Sequence, residues 1–564
     1  MEYKTIDKKV VLSGAVVIVP LLVMIAINFV YTVNMPNWDD YDSILNWLHE
    51  YLAAGSLHDK LHLLLRQHNE HRIFVDRVIA LAVHALAGQI NFVALNLMGL
   101  LALLCLSTCF IVLATKNSKT IFAALPVSYL LLSFSTYGLV SFAMASLQQY
   151  WQLLFSVLAI LFASKMDWKR TIIALLAAFL AAFSGAGGLL VYPAILVLQI
   201  VRKDVRRTAL WLLTTGIVFW FYFLFLDYKS PASGMSKWGL LYNHPFELAW
   251  YVFAFLGNIA AAFPGGSLVP GLVGLVLCAV LLMFLVTGSG RKDDAVYAIA
   301  LLMIFTAGAG ALSRLSEGLD SALSSRYTIY SAVFASAIYL LYLRRAPTPR
   351  SMVTRVIATG LLSVVIYVSW ISIGIHYLSN QRSRLLTSIV YPEEPRAVKI
   401  LDEAAIAKTF IPSFALPTYL PVDESRKVPL VLSAGGSLTL EFSLNGQLLS
   451  RSRRLTEVGL FIGNYGGTSD GNLVIRVCDK DVCREGSTSL LGIADNAYAM
   501  VTLYGNGLEV ASNDRIELIA TYAGGIVPVA IWLYPRLPTS DLILKTPSVP
   551  VGEGSVPKLS LDLK

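Results

Sequence analysis

Long runs of apolar residues recur through the first two-thirds of the chain, and an alternating pattern replaces them towards the C-terminus. The runs begin near Val10 and end near residue 378, and runs of this length predict membrane-spanning helices. Beyond them, segments such as 437–444 alternate apolar and polar residues, which predicts β-strands. We therefore expect a helical membrane region over residues 1–378, followed by a soluble domain.

Composition agrees with a polytopic membrane protein. The chain is 56% hydrophobic and 14% charged, with a mean hydropathy of +0.65. Its net charge of +8 does not indicate nucleic-acid binding, because Lys and Arg gather in short loops between the apolar runs, where they set orientation. The first run, 10–33, is too long for the core of a signal peptide and lacks a clear cleavage site, so we interpret it as an uncleaved span.

Six basic clusters determine the expected topology. When all six are placed in the cytoplasm, the chain has eleven spans, with its N-terminus inside and its C-terminal domain outside. Two further apolar stretches, 73–88 and 246–263, are interpreted as juxtamembrane helices or re-entrant hairpins on the outer face. Counting both as spans gives an alternative of thirteen. The eleven spans lie near 10–33, 92–114, 120–139, 148–164, 171–185, 187–201, 208–226, 268–288, 294–312, 327–343 and 353–378.

The region after the last span divides into three parts. Residues 379–426 form a linker with a short amphipathic helix at 396–408, and 427–535 are expected to form a β-sandwich of jelly-roll type. Residues 536–564 form a tail rich in Pro and Ser, which we expect to be extended or poorly ordered. The sandwich could bind sugar through aromatic residues, or serve as a lid or docking platform. The aromatic candidates are Tyr465, Tyr504 and Trp532, for which a place in the core or at a sheet edge is the alternative.

Two cysteines in the soluble region bear on its compartment. Cys478 and Cys483 are separated by four residues and could close a small disulfide loop, which requires an oxidising environment. We prefer this disulfide to a metal site. The other three cysteines lie in apolar spans, where we expect them to be packing residues.

The first outer segment, residues 34–91, is unusually rich in ionisable groups. Five of the eight histidines lie between His49 and His71, and Asp39 and Asp40 follow directly after the first span. Desolvating such groups at a membrane face is costly, so their concentration indicates function. Sugar transfer from a polyprenyl-phosphate carrier would explain it, because that reaction needs a carboxylate base and polar or cationic groups facing the departing phosphate.

The acidic pair is the candidate base. Either Asp39 or Asp40 could accept the proton of an acceptor hydroxyl, and like-charge repulsion would raise the pKa of one of them towards neutrality. Trp38 and Tyr41 flank the pair and are candidate substrate contacts. The alternative interpretation is a solvated acidic end of a loop.

The run from His68 to Arg72 is the candidate phosphate site. We expect His68, His71 and Arg72 to contact the donor phosphate while Glu70 orients them. A solvated polar loop is one alternative. A divalent metal is another, but no helical His-Glu-x-x-His motif is present, and we expect no metal cofactor.

The outer ends of other predicted spans add candidate phosphate-binding and substrate-binding residues. Arg314 and Arg326 are predicted to bind donor phosphate, although arginines at span ends often extend to lipid headgroups instead. The other predicted substrate-binding residues could equally anchor the chain at the membrane interface. They are Gln148, Gln149, Lys237, Tyr242, His244 and Tyr327.

Several short motifs resemble one enzyme family. The Trp-Asp-Asp-Tyr sequence at 38–41, His-Asn-Glu-His-Arg at 68–72, Ser-Gly-Ala-Gly-Gly-Leu-Leu-Val-Tyr-Pro at 184–193 and Ser-Arg-Tyr at 325–327 resemble polyprenyl-phosphate-dependent glycosyltransferases of the GT-C fold. Within that class they look like the serotype-converting O-antigen glucosyltransferases. The resemblance covers most of residues 1–378 in architecture.

This resemblance implies a reaction and a location. It implies inverting transfer of a sugar, glucose by analogy, from undecaprenyl phosphate to lipopolysaccharide O-antigen or its lipid-linked precursor. The reaction would take place on the periplasmic side of a bacterial inner membrane, with Asp39 or Asp40 as base. The chain departs from the family where a second acidic motif is often found, because 140–147 contains no Asp or Glu. That departure puts metal dependence in doubt and shifts phosphate neutralisation to Arg and His.

Two other functions fit parts of the pattern. An O-antigen polymerase would favour large outer loops bearing arginine over an acidic pair and a terminal β-domain. A transporter with an external sensor domain would place charged residues at mid-membrane depth and show internal repeats. The spans here are nearly free of charge at mid-depth, so a glycosyltransferase is the leading hypothesis.

Overall fold

The structure, a computed structural model, divides the chain into two compact units. One comprises Met1–Leu378 with Ile400–Phe410, and the other comprises Ser379–Lys399 with Ile411–Lys564. The residues it describes are 8–118, 120–165, 167–229, 237–287, 293–387, 389–392, 394–411, 418–419, 422–423, 426–443, 453–511, 514–536, 542–545 and 554–563.

The first unit is built from α-helices. Shorter 3₁₀ and π segments interrupt them, and those at Tyr41–Asn46, Phe134–Leu139, Ala186–Leu190, Trp220–Phe225 and Ser325–Tyr327 matter for the site. The helices are α1 (Lys8–Tyr31), α2 (Trp47–Ala53), α3 (Leu57–Leu65), α4 (Phe74–Ala87), α5 (Phe92–Ser118), α6 (Leu125–Leu131), α7 (Ala143–Ala163), α8 (Trp168–Ala182), α9 (Val191–Val201), α10 (Val205–Phe219), α11 (Lys237–Asn243), α12 (Pro245–Leu256), α13 (Leu268–Val286), α14 (Asp294–Arg314), α15 (Thr328–Arg344), α16 (Pro349–Thr387) and α17 (Glu394–Ile406).

Seven helical segments in the described part of the chain are long and apolar enough to cross a membrane, which is compatible with a multi-pass membrane protein. They are Gly14–Tyr31, Phe92–Lys116, Ala143–Ala163, Val205–Phe225, Leu268–Val286, Asp294–Glu317 and Pro349–Leu386.

The remaining predicted spans correspond to shorter helices. The run 120–139 contains the short apolar helix Ile121–Leu131, which ends in α6, and 171–201 is divided between α8 and α9. The span expected at 327–343 is α15, a helix of 17 residues that is almost entirely buried among its neighbours. The two apolar stretches set apart from the spans contain α4, of 14 residues, and α12, of 12. Apolar length alone does not separate a spanning helix from a buried interior one, so the count of eleven remains a prediction.

Helix α7 lies at the centre of this unit. Most of its side chains are buried, and small residues allow close approach of its neighbours. A Cβ atom at Gly99 of α5 would lie 2.6 Å from Ser146 Oγ of α7, so that crossing requires glycine. Small residues at helix crossings are what packing in a membrane favours, because no hydrophobic effect drives helices together there.

The second unit is a β-sandwich of antiparallel strands around its own hydrophobic core. Strands β1 (Gln67–His68) and β2 (His71–Arg72) do not belong to the sandwich. They form a short hairpin in the first unit, with two residues in each strand. The other strands are β3 (Thr418–Tyr419), β4 (Val428–Leu432), β5 (Ser437–Ser443), β6 (Arg453–Gly463), β7 (Asn472–Asp479), β8 (Val482–Ser489), β9 (Ala497–Thr502), β10 (Leu508–Val510), β11 (Arg515–Ala523), β12 (Val529–Pro535), β13 (Ile543–Leu544), β14 (Ser555–Pro557) and β15 (Leu559–Leu563).

Two sheets form the sandwich. One has the order β14-β12-β6-β15-β3, with β4 paired to β12 and with β9 and β10 paired to β6. The other has the order β13-β5-β11-β7-β8. The alternation seen in the sequence has the expected result: Leu438, Leu440 and Phe442 of β5 all point into the core.

The C-terminal tail differs from expectation. Residues 555–563 are not poorly ordered but supply β14 and β15, and β15 lies between β6 and β3. The physical reason is an alternation that the Pro and Ser content obscures: Val556, Leu559 and Leu561 are buried in the core. The strands therefore extend outside the predicted range 427–535 on both sides.

Candidate active site

The first loop, residues 34–91, folds into a series of short helices and a two-stranded hairpin. Trp38 has φ +48°, a left-handed conformation that is rare for a bulky side chain and that concentrates at functional sites. The π-helical turn Tyr41–Asn46 and helices α2 and α3 follow, and the β1–β2 hairpin then reverses at Asn69, which also has positive φ. This sequence of turns brings the acidic pair and the hairpin histidines into the same part of the unit.

Asp40 is a structural carboxylate that fixes the start of α7. It is 1% exposed, and its oxygens accept hydrogen bonds from the backbone N–H groups of Asn37, Ala143 and Met144 at 3.0, 3.3 and 2.7 Å. A carboxylate at a helix N-terminus satisfies free N–H groups and interacts favourably with the helix dipole. Burial raises the pKa of Asp40 to about 7, although these hydrogen bonds act to lower it. Asp40 is thus too deeply buried to contact an acceptor hydroxyl.

Asp39 presents its side chain differently. It is half-exposed and lies close enough to His68 for its charge to act on that ring. Burial lowers the pKa of His68, and the charges of Asp39 and Asp42 oppose this effect without reversing it. Of the two adjacent aspartates, Asp39 is therefore the one that a substrate can approach.

The hairpin turn carries Glu70 and His71 into contact with other segments. Glu70 forms an ion pair with Arg314, which also pairs with Glu317 at 2.8 Å. Burial acts to raise the pKa of Glu70, but the charges of Arg314 and Arg326 hold it below its ordinary value. Glu70 is thus an anion paired with Arg314 rather than with Arg72, which it was expected to orient. Arg314 is already compensated by two carboxylates.

His71 is a neutral hydrogen-bonding group rather than a cation. Burial lowers its pKa to about 4, and the charge of Arg314 adds to the effect although Glu70 opposes it. The backbone N–H of Ala186 donates to its Nδ1 at 3.3 Å, so the ring proton of the neutral form lies on Nε2. His71 can therefore donate one hydrogen bond to a ligand but cannot neutralise its charge.

Arg326 is the guanidinium that remains available. It lies over the ring of Tyr327 at 5.1 Å, and its charge reaches both Glu70 and His71. Its Nε atom is buried without a hydrogen-bond partner among the described residues. An arginine with unused donors can form bidentate hydrogen bonds to a phosphate group.

A group of amide side chains on α7 adjoins the same region. Gln148 and Gln149 are buried, and Gln152 donates to the hydroxyl of Tyr330 at 3.4 Å. A Cβ atom at Gly185 would lie 2.4 Å from Gln152 Oε1, so the glycine lets the 184–188 segment approach the amides of α7 closely. Because the backbone of Ala186 in that segment also contacts His71, the 184–188 segment lies against both the α7 amides and the β1–β2 hairpin.

Arg72 has a different role from the one predicted. It is 1% exposed, and its guanidinium donates to the carbonyl oxygens of Leu65, Tyr222 and Leu226 at 2.8, 3.0 and 2.8 Å. It also lies over the ring of Tyr222 at 5.0 Å. These contacts use both terminal nitrogens of the guanidinium, and only Nε has no partner among the described residues. Arg72 therefore closes the carboxyl end of a helix rather than presenting its donors to a phosphate.

Four other residues predicted to contact substrate are either not part of this cluster or have side chains that the structure does not describe. Tyr41 is fully buried and cannot line a substrate site as expected, whereas Trp38 beside it is exposed. Tyr242 is exposed to solvent, and His244 lies 3.4 Å from Glu247 on the first turn of α12. The side chain of Lys237 lies outside the described residues.

Asp76 is a notable residue that sequence reasoning missed. It is buried on α4, and neither of its carboxyl oxygens has a hydrogen-bond partner within the described residues. Burial raises its pKa well above the ordinary value, and the charge of nearby Asp40 adds to this effect while Arg77 opposes it. The available signal was the Asp76-Arg77 pair inside the apolar stretch 73–88, because charges within apolar runs seldom lack a function.

No group of three or more His, Cys, Asp or Glu side chains in the described part of the chain is placed to hold a metal ion.

No protein-family model, curated protein or solved structure matches this chain.

Proposed function

We propose that this protein is a membrane glycosyltransferase that moves a sugar from a polyprenyl-phosphate carrier to an acceptor hydroxyl, with Asp39 as general base. The observation that carries the proposal is the position of His68. Its ring lies within electrostatic range of the half-exposed carboxylate of Asp39. Its backbone pairs with that of His71 in the β1–β2 hairpin, whose turn residue Glu70 forms the ion pair with Arg314. This proximity supports assigning the base to Asp39 and the phosphate contacts to the groups beside the hairpin.

The chemistry follows from that arrangement. The acceptor oxygen attacks the anomeric carbon, its proton passes to Asp39, and the bond from that carbon to the phosphate oxygen breaks. The polyprenyl phosphate leaves with the bonding electrons, so Arg326 and the Nε2–H of His71 face increasing negative charge. Attack opposite the leaving group inverts the configuration of the anomeric carbon.

The buried amides complete the proposed site. Gln148 and Gln152 lie one helical turn apart on α7, and Gln149 Oε1 is buried without a partner in the described region. Amide side chains that lack partners are suited to the hydroxyl groups of a sugar ring. We assign the donor sugar to this face, undecaprenyl phosphate to the carrier and an O-antigen hydroxyl to the acceptor.

The proposed location is the periplasmic side of a bacterial inner membrane. The Cys478–Cys483 disulfide in the second unit supports it, because disulfides persist in oxidising compartments. So does the topology in which all six basic clusters lie in the cytoplasm.

The test compares two aspartates that both act on His68. Asp39→Asn should abolish sugar addition to the surface polysaccharide of cells expressing the chain, a loss of about 100-fold or more. Asp42→Asn serves as the matched control and should retain most activity. Sugar content is measured by mass spectrometry of the polysaccharide, with equal membrane levels of each variant. Full activity of Asp39→Asn would refute the assignment of the base, and loss in Asp42→Asn alone would transfer that role to Asp42.

A further inference from the structure

Three loops meet at one end of the β-sandwich. They are residues 464–471, 490–496 and 524–528, which we call the apical loops. The strand register brings them together: Ile462 pairs with Ala497, Gly463 with Ala530, and Asn472 with both Ser489 and Ala523. The end of β6, the ends of β8 and β11 and the starts of β7, β9 and β12 are thus on the same side.

Polar residues hold the apical loops in a fixed arrangement. Asn464 Nδ2 donates to the carbonyl oxygens of Leu490 and Ile493 at 3.0 and 2.8 Å, and its backbone N–H donates to Asp495 at 2.5 Å. Asp470 Oδ1 accepts from the N–H groups of Ile526 and Val527 at 2.9 and 3.1 Å. Both acidic residues of these loops are therefore engaged by the loops themselves.

Each apical loop exposes one large apolar side chain. Tyr465 is 49% exposed, Leu491 is 70% and Ile526 is 92%. Leu491 and Ile526 are more exposed than any other large aliphatic side chain described in this unit. Leu490, which precedes Leu491, is fully buried, so this loop points one apolar residue inward and the next one outward. Exposure of this kind, repeated on three braced loops, indicates an interaction surface.

The chemistry of the surface favours a lipid bilayer. Two of the three side chains are aliphatic and cannot hydrogen-bond to a sugar, whereas aliphatic groups enter the acyl boundary and Tyr lies at headgroup level. The loops contain no Lys or Arg, so attraction to charged partners contributes little. The same chain carries seven helices of membrane-spanning length, which would keep a bilayer close to every folded copy of the sandwich.

We propose that the apical loops insert Tyr465, Leu491 and Ile526 into the interfacial region of a lipid bilayer. Insertion relies on apolar burial, and the braced loops lose little conformational freedom when it occurs.

The test uses the full chain in lipid nanodiscs. Cys105, Cys109 and Cys278 are first replaced by Ser, which leaves the disulfide intact. A single cysteine is then introduced as Ile526→Cys or, at the opposite end of the sandwich, as Lys480→Cys. Each carries an environment-sensitive fluorophore, and nitroxide-labelled lipids quench any probe that enters the bilayer. Quenching at 526 should exceed that at 480 by about threefold or more and should persist in about 1 M salt, which screens charge but not apolar insertion.

A second variant guards against an effect of the probe itself. With the fluorophore at Thr468→Cys, the double change Leu491→Gln and Ile526→Gln should reduce lipid quenching to the level seen at 480. Arg515→Gln, which changes an exposed side chain away from these loops, should leave it unchanged. Equal quenching at 526 and 480 overturns the proposal, as does quenching that disappears in high salt. A blue-shifted probe at 526 without lipid quenching would also overturn it and would indicate a protein or glycan partner.

Discussion

Two neighbouring aspartates have different environments because the backbone turns between them. Asp40 points into the protein and binds the first N–H groups of α7, whereas Asp39 remains half-exposed beside His68. The sequence identified the pair but could not divide its functions. The division depends on contacts with residues more than a hundred positions away, which no local pattern encodes.

Asp40 should make the stability of the protein depend on pH. Its pKa of about 7 in the folded state lies above the ordinary value of 3.8, so the folded protein holds this proton more tightly than the unfolded chain does. The contribution is complete below about pH 4 and is lost as pH rises to about 7, with a slope of up to about 1.4 kcal/mol per pH unit. Thermal unfolding in detergent, recorded between pH 5 and pH 8, measures it.

The control for this prediction is the neighbouring residue. Asp40→Ala should remove this component of the slope and lower the unfolding temperature at pH 5, because three backbone N–H groups lose their acceptor. Asp39→Asn should keep the slope. An unchanged slope in Asp40→Ala would show that another group, such as Asp76, produces it.

At the scale of elements, Arg72 joins two segments that are distant in sequence. It connects the β1–β2 hairpin to the carboxyl end of the helix that continues α10, through the carbonyl oxygens of Tyr222 and Leu226. Helix ends leave carbonyl groups unsatisfied, and an arginine can satisfy several of them at once because its donors form a rigid fork.

Replacing Arg72 should therefore destabilise the fold rather than weaken donor binding. Arg72→Met leaves three carbonyl oxygens without their donor, and we expect a loss of about 3 kcal/mol or more. Arg170→Met, at an exposed position, is the matched control and should change stability by about 0.5 kcal/mol or less. Thermal unfolding in detergent compares the two. A stable Arg72→Met protein with reduced donor affinity would restore the phosphate-binding role.

The elements show which features a sequence can predict. The helix at 396–408 and the strands of the sandwich follow from local periodicity, and the structure has α17 at Glu394–Ile406 and strands across the expected region. The carbonyl contacts of Arg72, the burial of Tyr41 and the pairing of the tail strands depend on tertiary contacts, which local periodicity does not reveal. Arg72 and Arg326 are both arginines at the edges of apolar runs, and only the structure shows that the first one is occupied by carbonyl groups.

At the scale of the whole molecule, the disulfide reports on the compartment of the second unit. Cys478 and Cys483 face each other across the β7–β8 hairpin and are bonded. Protein extracted without reductant should react with a thiol reagent at these two positions only after reduction, as measured by mass spectrometry of the labelled peptides. Labelling before reduction would place this unit in a reducing compartment and contradict the proposed topology.

The distance along the chain between Arg72 and its acceptors also sets an order of assembly. Tyr222 follows Arg72 by 150 residues, which takes about 10 to 30 s to synthesise at typical rates. During that interval the guanidinium has no carbonyl cap at α10, and water must solvate it. The first loop can therefore close only after most of the helices have emerged from the ribosome. Closure of the first loop is then a late event in biogenesis, and chains truncated before residue 222 should leave this loop open to proteases.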